Sequence, residues 1–339
     1  MKIIQGIVFL LFSIPFFLQG QVKSYDELMV LGSELQSREK YTESIVWFKS
    51  AMVLNKDSSD PLYEIAYSYY NMKDFKKTIR YCRKALRKEP SSPVEIYILL
   101  GSAIDARGKT SKAISVYKKA LEKYPHDYLL HYNLALSFYN NEQLQLAEET
   151  LIDALVHEPS HNSSHLLLTF VMYEQEQRVK SLLPLYYFLL IEPDSDRSRD
   201  AYELLQEIIY SGSSDNIINE DGTIDLEVNP GEEEFGAAGI MLGMLSASRA
   251  LEMDAGKSNL QVFTENTRAL FSFLGELSRD NSGFWWDFYV DFFYSIVESG
   301  NTKAYTYFIS QASDDPEVTK WFKSHSTELD RFADWLENR

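Results

Sequence analysis

The chain has 339 residues, a length typical of about two domains, and 45% of them are hydrophobic, which excludes extensive disorder. It contains 15 glycines and 10 prolines, so collagen-like, linker-like and turn-rich β architectures are disfavoured and long helices are favoured. The formal net charge of −17 disfavours nucleic-acid binding, although residues 21–130 carry a net charge of +5 and residues 131–339 one of −23.

The first 20 residues have the composition of a signal peptide. Lys2 precedes a largely apolar run over residues 3–18, which contains Pro15 and is shorter than the about 20 residues that span a bilayer as a helix. Gly20 stands directly before a plausible cleavage point at Gln21. We therefore expect export, to the periplasm or outside the cell, with no stable membrane insertion after cleavage near Gly20/Gln21. The alternative is a segment retained as an anchor.

Small residues recur in the first half of the chain with a period of 34 or 35 residues. Three sets keep the same register: Gly32, Ala66, Gly101 and Ala135; Ser44, Thr78, Ala113 and Ala147; Ala51, Ala85, Ala120 and Ala154. Two antiparallel helices approach closely only where side chains are small, so this register predicts helical hairpins that interlock at these positions. A single hairpin cannot bury its own apolar face, and several must therefore stack.

Residues 25–159 resemble four tandem tetratricopeptide repeats. The third unit, residues 96–125, follows the family pattern closely, whereas the first has Lys56 where proline is usual. A degenerate fifth unit extends the array to residues 25–193, and residues 194–210 have the pattern of a capping helix. The resemblance implies an all-α solenoid of helical hairpins, whose first helices line a concave groove that binds a protein or peptide partner.

On each first helix, the residues three before, one after and four after the small position share one face. This spacing, with the two asparagines beside it, selects the predicted partner-binding residues: Tyr63, Tyr67, Tyr70, Asn71, Ile98, Ser102, Tyr132, Leu136, Tyr139, Asn140, Phe170 and Tyr173, with Leu166 on the same face. Tyrosine combines apolar area with a polar tip and is favoured in recognition surfaces. The alternative is that some of these rings pack between neighbouring repeats.

Repeat proteins of this family that bind chaperone tails use a clamp of Lys, Asn and Arg side chains to hold a terminal carboxylate pair. The matching positions here carry other residues: Met29, Ser33, Tyr63, Tyr67, Ile98 and Ser102. Three acidic residues at the edge, Asp26, Asp60 and Glu95, argue further against an acidic peptide tail. The clamp is therefore missing.

Residues 211–235 break the helical pattern and are predicted to be an acidic connector between two domains. Residues 219–225 resemble the middle of a calcium-binding EF-hand loop, but the first and last ligand positions hold Ile217 and Val228, so no metal site is predicted. The interpretation that needs no metal is a tight turn leading into a short strand over residues 223–228, and thus one short β-hairpin.

Residues 236–339 are predicted to form a helical carboxy-terminal domain. The expected helices, the first beginning in the connector, cover residues 232–253, 259–279, 284–298, 302–311 and 316–337. Eight of the eleven residues over 284–294 are aromatic, so this segment should be buried in the centre of the domain or against the last hairpin. An exposed ligand platform is the alternative.

Asp287 and Asp291 stand one helical turn apart within the aromatic segment, a spacing that could pair carboxylates for acid–base chemistry or metal binding. No other catalytic motif accompanies them, so we predict an exposed polar stripe. Three histidines at four-residue spacing lack a further zinc ligand and are interrupted by a proline: His157, His161 and His165. Cys82 occupies a core position of its repeat and cannot form an intramolecular disulfide.

The sequence thus predicts a non-enzymatic scaffold or adaptor that binds a partner polypeptide in the groove and needs no cofactor. Two alternatives remain open. One is an enzyme, or a protein that binds a small molecule or glycan, with its site near Asp287 and Asp291. The other is a homo-oligomer in which the positive half of one copy contacts the negative half of another.

Overall fold

The computed structural model describes residues 23–88, 93–210 and 234–339. These residues form seventeen α-helices: α1 (Tyr25–Ser37), α2 (Tyr41–Leu54), α3 (Asp60–Asn71), α4 (Phe75–Lys88), α5 (Val94–Asp105), α6 (Thr110–Leu121), α7 (Tyr128–Tyr139), α8 (Leu144–His157), α9 (Asn162–Glu174), α10 (Arg178–Ile191), α11 (Asp196–Tyr210), α12 (Gly236–Asp254), α13 (Asn259–Leu277), α14 (Asp291–Glu298), α15 (Thr302–Ile309), α16 (Pro316–Ser324) and α17 (Ser326–Glu337). The described residues contain no strand, and the predicted all-α fold is confirmed. The predicted signal peptide, the EF-hand-like segment and the short β-hairpin lie outside the described residues.

The contacts divide the chain into two compact units, residues 1–92 and 93–339. In the first unit, α1 and α2 form one antiparallel hairpin and α3 and α4 the next. In the second unit, three further hairpins stack in chain order, and α11 to α17 follow. The division therefore falls after residue 92 and not at the predicted connector. The cause is that α10 and α11 pack against helices from beyond that connector.

The small residues interlock as their register predicted. All twelve positions are buried, and Ala51, Ala85, Ala120 and Ala154 have no exposed area. A methyl group built on Gly32 would lie 2.4 Å from Cε1 of Phe48, and one built on Gly101 would lie 2.3 Å from Cζ of Tyr117. Glycine at these two positions therefore makes room for an aromatic ring of the second helix in the same hairpin.

The turn inside each hairpin has a recurring conformation. One residue per hairpin adopts a positive φ between 57° and 68°: Glu39, Lys73, Gly108, Glu142 and Glu176. The amide three residues after the helix end donates to a carbonyl five residues earlier, as in Lys40 N to Leu35 O and Gln177 N to Met172 O. This is the hydrogen bond of a Schellman motif, which closes a helix carboxyl terminus. The fifth hairpin keeps the same turn although its sequence is degenerate.

The carboxy-terminal helices follow the predicted segments with two differences. The aromatic segment begins with a π-helical turn, Trp285–Val290, before α14. The predicted single helix over residues 316–337 is wrong, because the chain breaks at His325 between α16 and α17. Near the break, Ser324 Oγ donates to the carbonyl of Lys320 and His325 Nδ1 lies 3.1 Å from the carbonyl of Trp321. Such side-chain bonds compete with the helical backbone pattern.

The aromatic segment lies at the centre of the second unit. Trp286, Tyr289 and Phe293 are at most 1% exposed. Phe293 stacks 4.5 Å from Phe271 of α13, whose ring meets Tyr186 of α10 edge-on at 5.1 Å. The predicted burial of this segment is therefore confirmed, and its neighbours come both from the last hairpin and from the carboxy-terminal helices.

Candidate functional site

In the first unit, the predicted partner-binding residues lie along α3. The tyrosine pair Tyr63 and Tyr67 has ring centres 6.4 Å apart, and 40% of Tyr67 is exposed. Tyr70 is half-buried and meets Phe75 edge-on at 5.5 Å, so it shares in the packing of its own hairpin. Asn71 is exposed, and its Nδ2 donates to the carbonyl of Tyr67 at 3.0 Å. Of the three predicted tyrosines on α3, Tyr67 therefore has the most exposed ring.

In the second unit, α5 contributes Ile98 and Ser102, which are both half-buried. The Ser102 hydroxyl donates to the carbonyl of Ile98 at 2.9 Å and lies 3.0 Å from the hydroxyl of Tyr117 on α6. It also lies 3.5 Å from Oδ1 of Asn133 on α7. Ser102 is therefore engaged within the stack, where it joins three helices, and it has little hydrogen-bonding capacity left for a ligand.

The carboxyl end of α7 is joined to its neighbours by polar contacts. The Tyr139 hydroxyl donates to the Glu174 carboxylate at the end of α9. Burial, the hydrogen bond to Glu174 and its negative charge raise the pKa of Tyr139 to about 12. Asn140 Nδ2 donates to Asp105 Oδ2 at 3.4 Å, a contact with the end of α5. Two carboxylates therefore lie at this edge of the first helices.

The opposite edge, at the start of α7 and α9, carries a different set of groups. Tyr132 meets the ring of His161 edge-on at 5.0 Å. Burial raises the pKa of Tyr132, while the positive charge of Arg197 and a hydrogen bond with Ser163 act in the opposite direction. Arg197 donates to Ser163 Oγ at 3.2 Å and pairs with Glu192.

Between these edges lie apolar side chains that the structure leaves accessible. Phe170 is 38% exposed and Tyr173 is 45% exposed, although both are large aromatic residues of a packed helix. Leu136 and Leu166 are half-buried beside them. We call this set the α5–α7–α9 face: Ile98, Ser102, Tyr132, Leu136, Tyr139, Asn140, Leu166, Phe170 and Tyr173. None of these residues, nor the four predicted on α3, is buried.

The carboxy-terminal helices contact the hairpins of the second unit through other residues. Trp285 Nε1 donates to Glu148 at 3.3 Å, and the Tyr289 hydroxyl lies 2.7 Å from Nδ1 of His165. Tyr187 of α10 packs 5.1 Å from Phe292. None of these hairpin residues belongs to the α5–α7–α9 face. The buried aromatic segment therefore uses a different side of the hairpins.

The other candidate sites show no catalytic arrangement. Asp287 and Asp291 are exposed, as predicted. Asp287 accepts a hydrogen bond from the amide of Gly283 at 3.0 Å, and Asp291 lies 3.9 Å from Arg339. Cys82 is buried, and burial raises the pKa of its thiol to about 12, which makes it a poor nucleophile. Among the described residues, no group of three His, Cys, Asp or Glu side chains could hold a metal ion.

The sequence did not identify the charged residues at the edges of the face. Asp105 and Glu174 end their helices, and Arg197 comes from α11, which lies outside the repeats. The periodic signal selected one face of each first helix and carried no information on groups that enter from helix ends or from α11. Which negative and positive side chains lie at the edges of the face could be established only from the three-dimensional structure.

The fold and the register of small residues define a protein built from stacked helical hairpins. The model of the tetratricopeptide repeat family matches residues 63–128 and 98–164. Residues 63–164 are therefore tetratricopeptide repeats. Such repeats are typically interaction modules without catalytic activity.

Several solved structures are similar to this chain over about half its length. MamA from Desulfovibrio magneticus RS-1 (from residue 41 onwards) is 18% identical with a TM-score of 0.44, covering 51% of this chain and 97% of its own. The thermophilic protein TTC0263 from Thermus thermophilus is 19% identical with a TM-score of 0.46, covering 55% and 99%. YrrB, described as having an unusual peptide-binding site, is 17% identical with a TM-score of 0.42, covering 53% and 91%. No curated protein sequence matches the chain.

In the described ranges, no helix has the length and apolar character that crossing a bilayer requires.

Proposed function

We propose that the protein is a non-enzymatic interaction scaffold that binds a partner polypeptide on the α5–α7–α9 face. The observation that carries this proposal is the exposure of Phe170 and Tyr173, two large aromatic side chains on a helix that is otherwise packed. Large aromatic groups contribute strongly to binding when a partner covers them, because they bury much area and lose little side-chain entropy.

The charges at the edges of the face indicate the chemistry of the partner. Asp105 and Glu174 lie at the carboxyl ends of their helices, where a basic side chain of the partner would be attracted. No lysine or arginine occupies the clamp positions that would hold a terminal carboxylate pair. The partner segment that fits is apolar or aromatic and carries a lysine or arginine beside its apolar residues.

The same proposal includes export of the protein. Its support is the sequence of residues 1–20, with a cation, an apolar run and a small residue before Gln21. The mature scaffold would then meet its partner in the periplasm or outside the cell. Amino-terminal sequencing of the protein purified from its host tests this: a mature chain that begins near Gln21 supports export with cleavage, and a retained Met1 contradicts cleavage.

A peptide selection tests the binding face. Random peptides displayed on phage would be enriched on the purified chain, and their affinity measured by fluorescence anisotropy. Replacing Phe170 and Tyr173 together with alanine should weaken the enriched peptides at least about tenfold, since each ring is an anchor of the proposed interface. Enriched peptides should combine apolar residues with lysine or arginine.

The matched control replaces Val156, an apolar residue of α8 that is 61% exposed and lies outside the face. Val156→Ala should change peptide affinity by less than about twofold. Circular dichroism checks that all variants keep their helices. Equal affinity of the enriched peptides for the double variant and for the parent chain would refute the assignment of the face.

A further inference from the structure

A cavity among the carboxy-terminal helices carries positive charge within an acidic part of the chain. Its volume is about 610 Å³, and α13, the turn between α14 and α15, the start of α15 and α17 form its wall. Three cations line it, Arg268, Lys303 and Arg331, with Glu328 as the carboxylate of the lining. Residues 234–339 contain 9 Lys and Arg against 16 Asp and Glu, so a third of their cations meet at this cavity.

These three cations lack carboxylate partners in the part of the chain that the structure describes. Lys303 lies 5.7 Å from the ring centre of Tyr307, and Arg331 Nε donates to the carbonyl of Thr327 at 3.3 Å. Three other cations of residues 234–339 pair with acids: Lys257 with Glu265 at 2.5 Å, Arg279 with Glu276 at 2.8 Å and Arg339 with Asp291 at 3.9 Å. Arg249, Lys320 and Lys323 are likewise without a carboxylate partner among the described residues, and what distinguishes Arg268, Lys303 and Arg331 is that all three line one cavity.

The remaining lining groups add hydrogen-bond donors and a limited apolar surface. Asn301 precedes α15 without a side-chain cap on its first turn, and Lys303 and Ala304 of that turn line the cavity. Trp335 is half-buried and presents an indole, whose nitrogen can only donate. Guanidinium groups, an ammonium group and an indole N–H are all donors, whereas Glu328 is the one ionised acceptor of this lining.

We propose that this cavity is a binding site for a small organic molecule that carries a phosphate or carboxylate group. Arg268, Lys303 and Arg331 come from three helices and are exposed where they line the cavity, and arginine matches the geometry of both groups with paired hydrogen bonds. The volume lies within the range of about 300–1,000 Å³ that small-molecule sites occupy. Trp335 and Ala304 provide surface for the carbon part of the ligand.

The site is independent of the proposed interaction scaffold. Its lining residues belong to α13, the turn between α14 and α15, α15 and α17, and they include no member of the α5–α7–α9 face. Asp287 and Asp291, the acidic pair that the sequence offered as a small-molecule site, do not line it either. The carboxy-terminal helices would then contribute ligand binding to a protein whose hairpins bind polypeptide.

Isothermal titration calorimetry on the full chain tests the site with three probes: inorganic phosphate, glycerol 3-phosphate and succinate. At low and constant ionic strength, at least one probe should bind with a Kd below about 1 mM. Binding of both phosphate compounds without succinate assigns the site to phosphoryl groups. Binding of succinate alone assigns it to carboxylates. Binding of none of the three probes overturns the proposal.

Two charge-matched double variants separate the site from general electrostatics. Arg268→Gln with Arg331→Gln should weaken the bound probe at least about tenfold, because two charge-assisted hydrogen-bonding groups are lost. Lys320→Gln with Lys323→Gln removes the same charge from α16 and should change affinity less than about twofold. Equal weakening in both double variants overturns the proposal. If the arginine double variant loses the helical circular dichroism signal, Lys303→Gln on α15 repeats the test.

Discussion

His165 uses both of its ring nitrogens in hydrogen bonds inside the core of the second unit. Nε2 lies 2.8 Å from the carbonyl of Pro159, which can only accept, so Nε2 carries the hydrogen. Nδ1 must then accept from the Tyr289 hydroxyl at 2.7 Å. Burial lowers the pKa of His165 to about 3, an effect reinforced by His161 and opposed by the bond to Pro159. The imidazole therefore stays neutral in the folded protein at neutral pH.

This neutral histidine should make the protein less stable in mild acid. The unfolded chain binds a proton at a pKa of about 6.5, so the contribution of His165 is complete above that pH and is lost as pH falls from 6.5 towards 3. Between pH 7.5 and 5.5 the loss should be about 1.4 kcal/mol. Urea denaturation of His165→Gln should show a shallower pH dependence than the parent chain. The control variant His157→Gln changes an exposed histidine and should keep the pH dependence of the parent chain. If stability depends on pH equally in the parent chain and both variants, the assignment to His165 is contradicted.

Gly101 faces the ring of Tyr117 so closely that a methyl group has no room. The nearest ring atoms lie 2.3 and 2.4 Å from the position of an added Cβ, and Tyr117 is only 1% exposed. Gly101→Ala gains about 1 kcal/mol of helix propensity, but displacing a buried ring costs about 1–3 kcal/mol. We expect a net destabilisation of about 1 kcal/mol in urea denaturation. In a Tyr117→Ala background the same change should be neutral or stabilising, and an unchanged penalty there would argue against the clash.

At the scale of the element, the turn of each hairpin depends on one residue in the left-handed region. Gly108 holds this position in the third hairpin with φ 68°, and glutamate or lysine holds it in the others. A side chain in this conformation costs about 1–2 kcal/mol relative to glycine. Nothing lies within 4 Å of a Cβ built on Gly108, so substitution there tests the backbone alone.

We therefore expect opposite effects from opposite substitutions at equivalent turns. Gly108→Ala should destabilise the second unit by about 0.5–1 kcal/mol, and Glu142→Gly should stabilise it by a similar amount, after the entropy of the unfolded chain is allowed for. Differential scanning calorimetry of the two variants measures both effects. Glu142→Gln separates the loss of charge from the gain in backbone freedom. A stabilised Gly108→Ala protein would rule out the strain argument.

The sequence predicted those parts of the elements that repeat. The close approach of paired helices imposes one small residue at fixed intervals, so Ala51, Ala85, Ala120 and Ala154 could be placed in the core without coordinates. The left-handed turn escaped notice because only Gly108 marks it. The break at His325 was also missed, since it depends on local side-chain bonds inside an otherwise continuous helical pattern. On the predicted face, periodicity selected the accessible positions, but the contacts of Tyr139 and Tyr132 needed the fold.

At the scale of the molecule, the last hairpin and the carboxy-terminal helices share one aromatic core. The Tyr186 hydroxyl of α10 lies 3.0 Å from the hydroxyl of Thr267 on α13, and the Tyr305 hydroxyl of α15 donates to the carbonyl of Tyr186 at 3.0 Å. These partners are 81 and 119 residues apart in sequence. No periodic signal links positions so distant, so the sequence could not show that α10 and the carboxy-terminal helices belong to one compact unit.

A change in α13 should therefore loosen α10 as well. Phe271 contacts both Tyr186 and Phe293 and has no exposed area, so Phe271→Ala should cost about 3–5 kcal/mol of unit stability. If the unit opens cooperatively, amide exchange that proceeds through its unfolding should accelerate at least about a hundredfold in α9, α10 and α13 alike. Hydrogen exchange measured by mass spectrometry resolves these helices, and α1 and α2 of the other compact unit serve as the internal reference. Acceleration confined to α13, with α9 and α10 protected as before, would show that the hairpins and the carboxy-terminal helices are energetically separate.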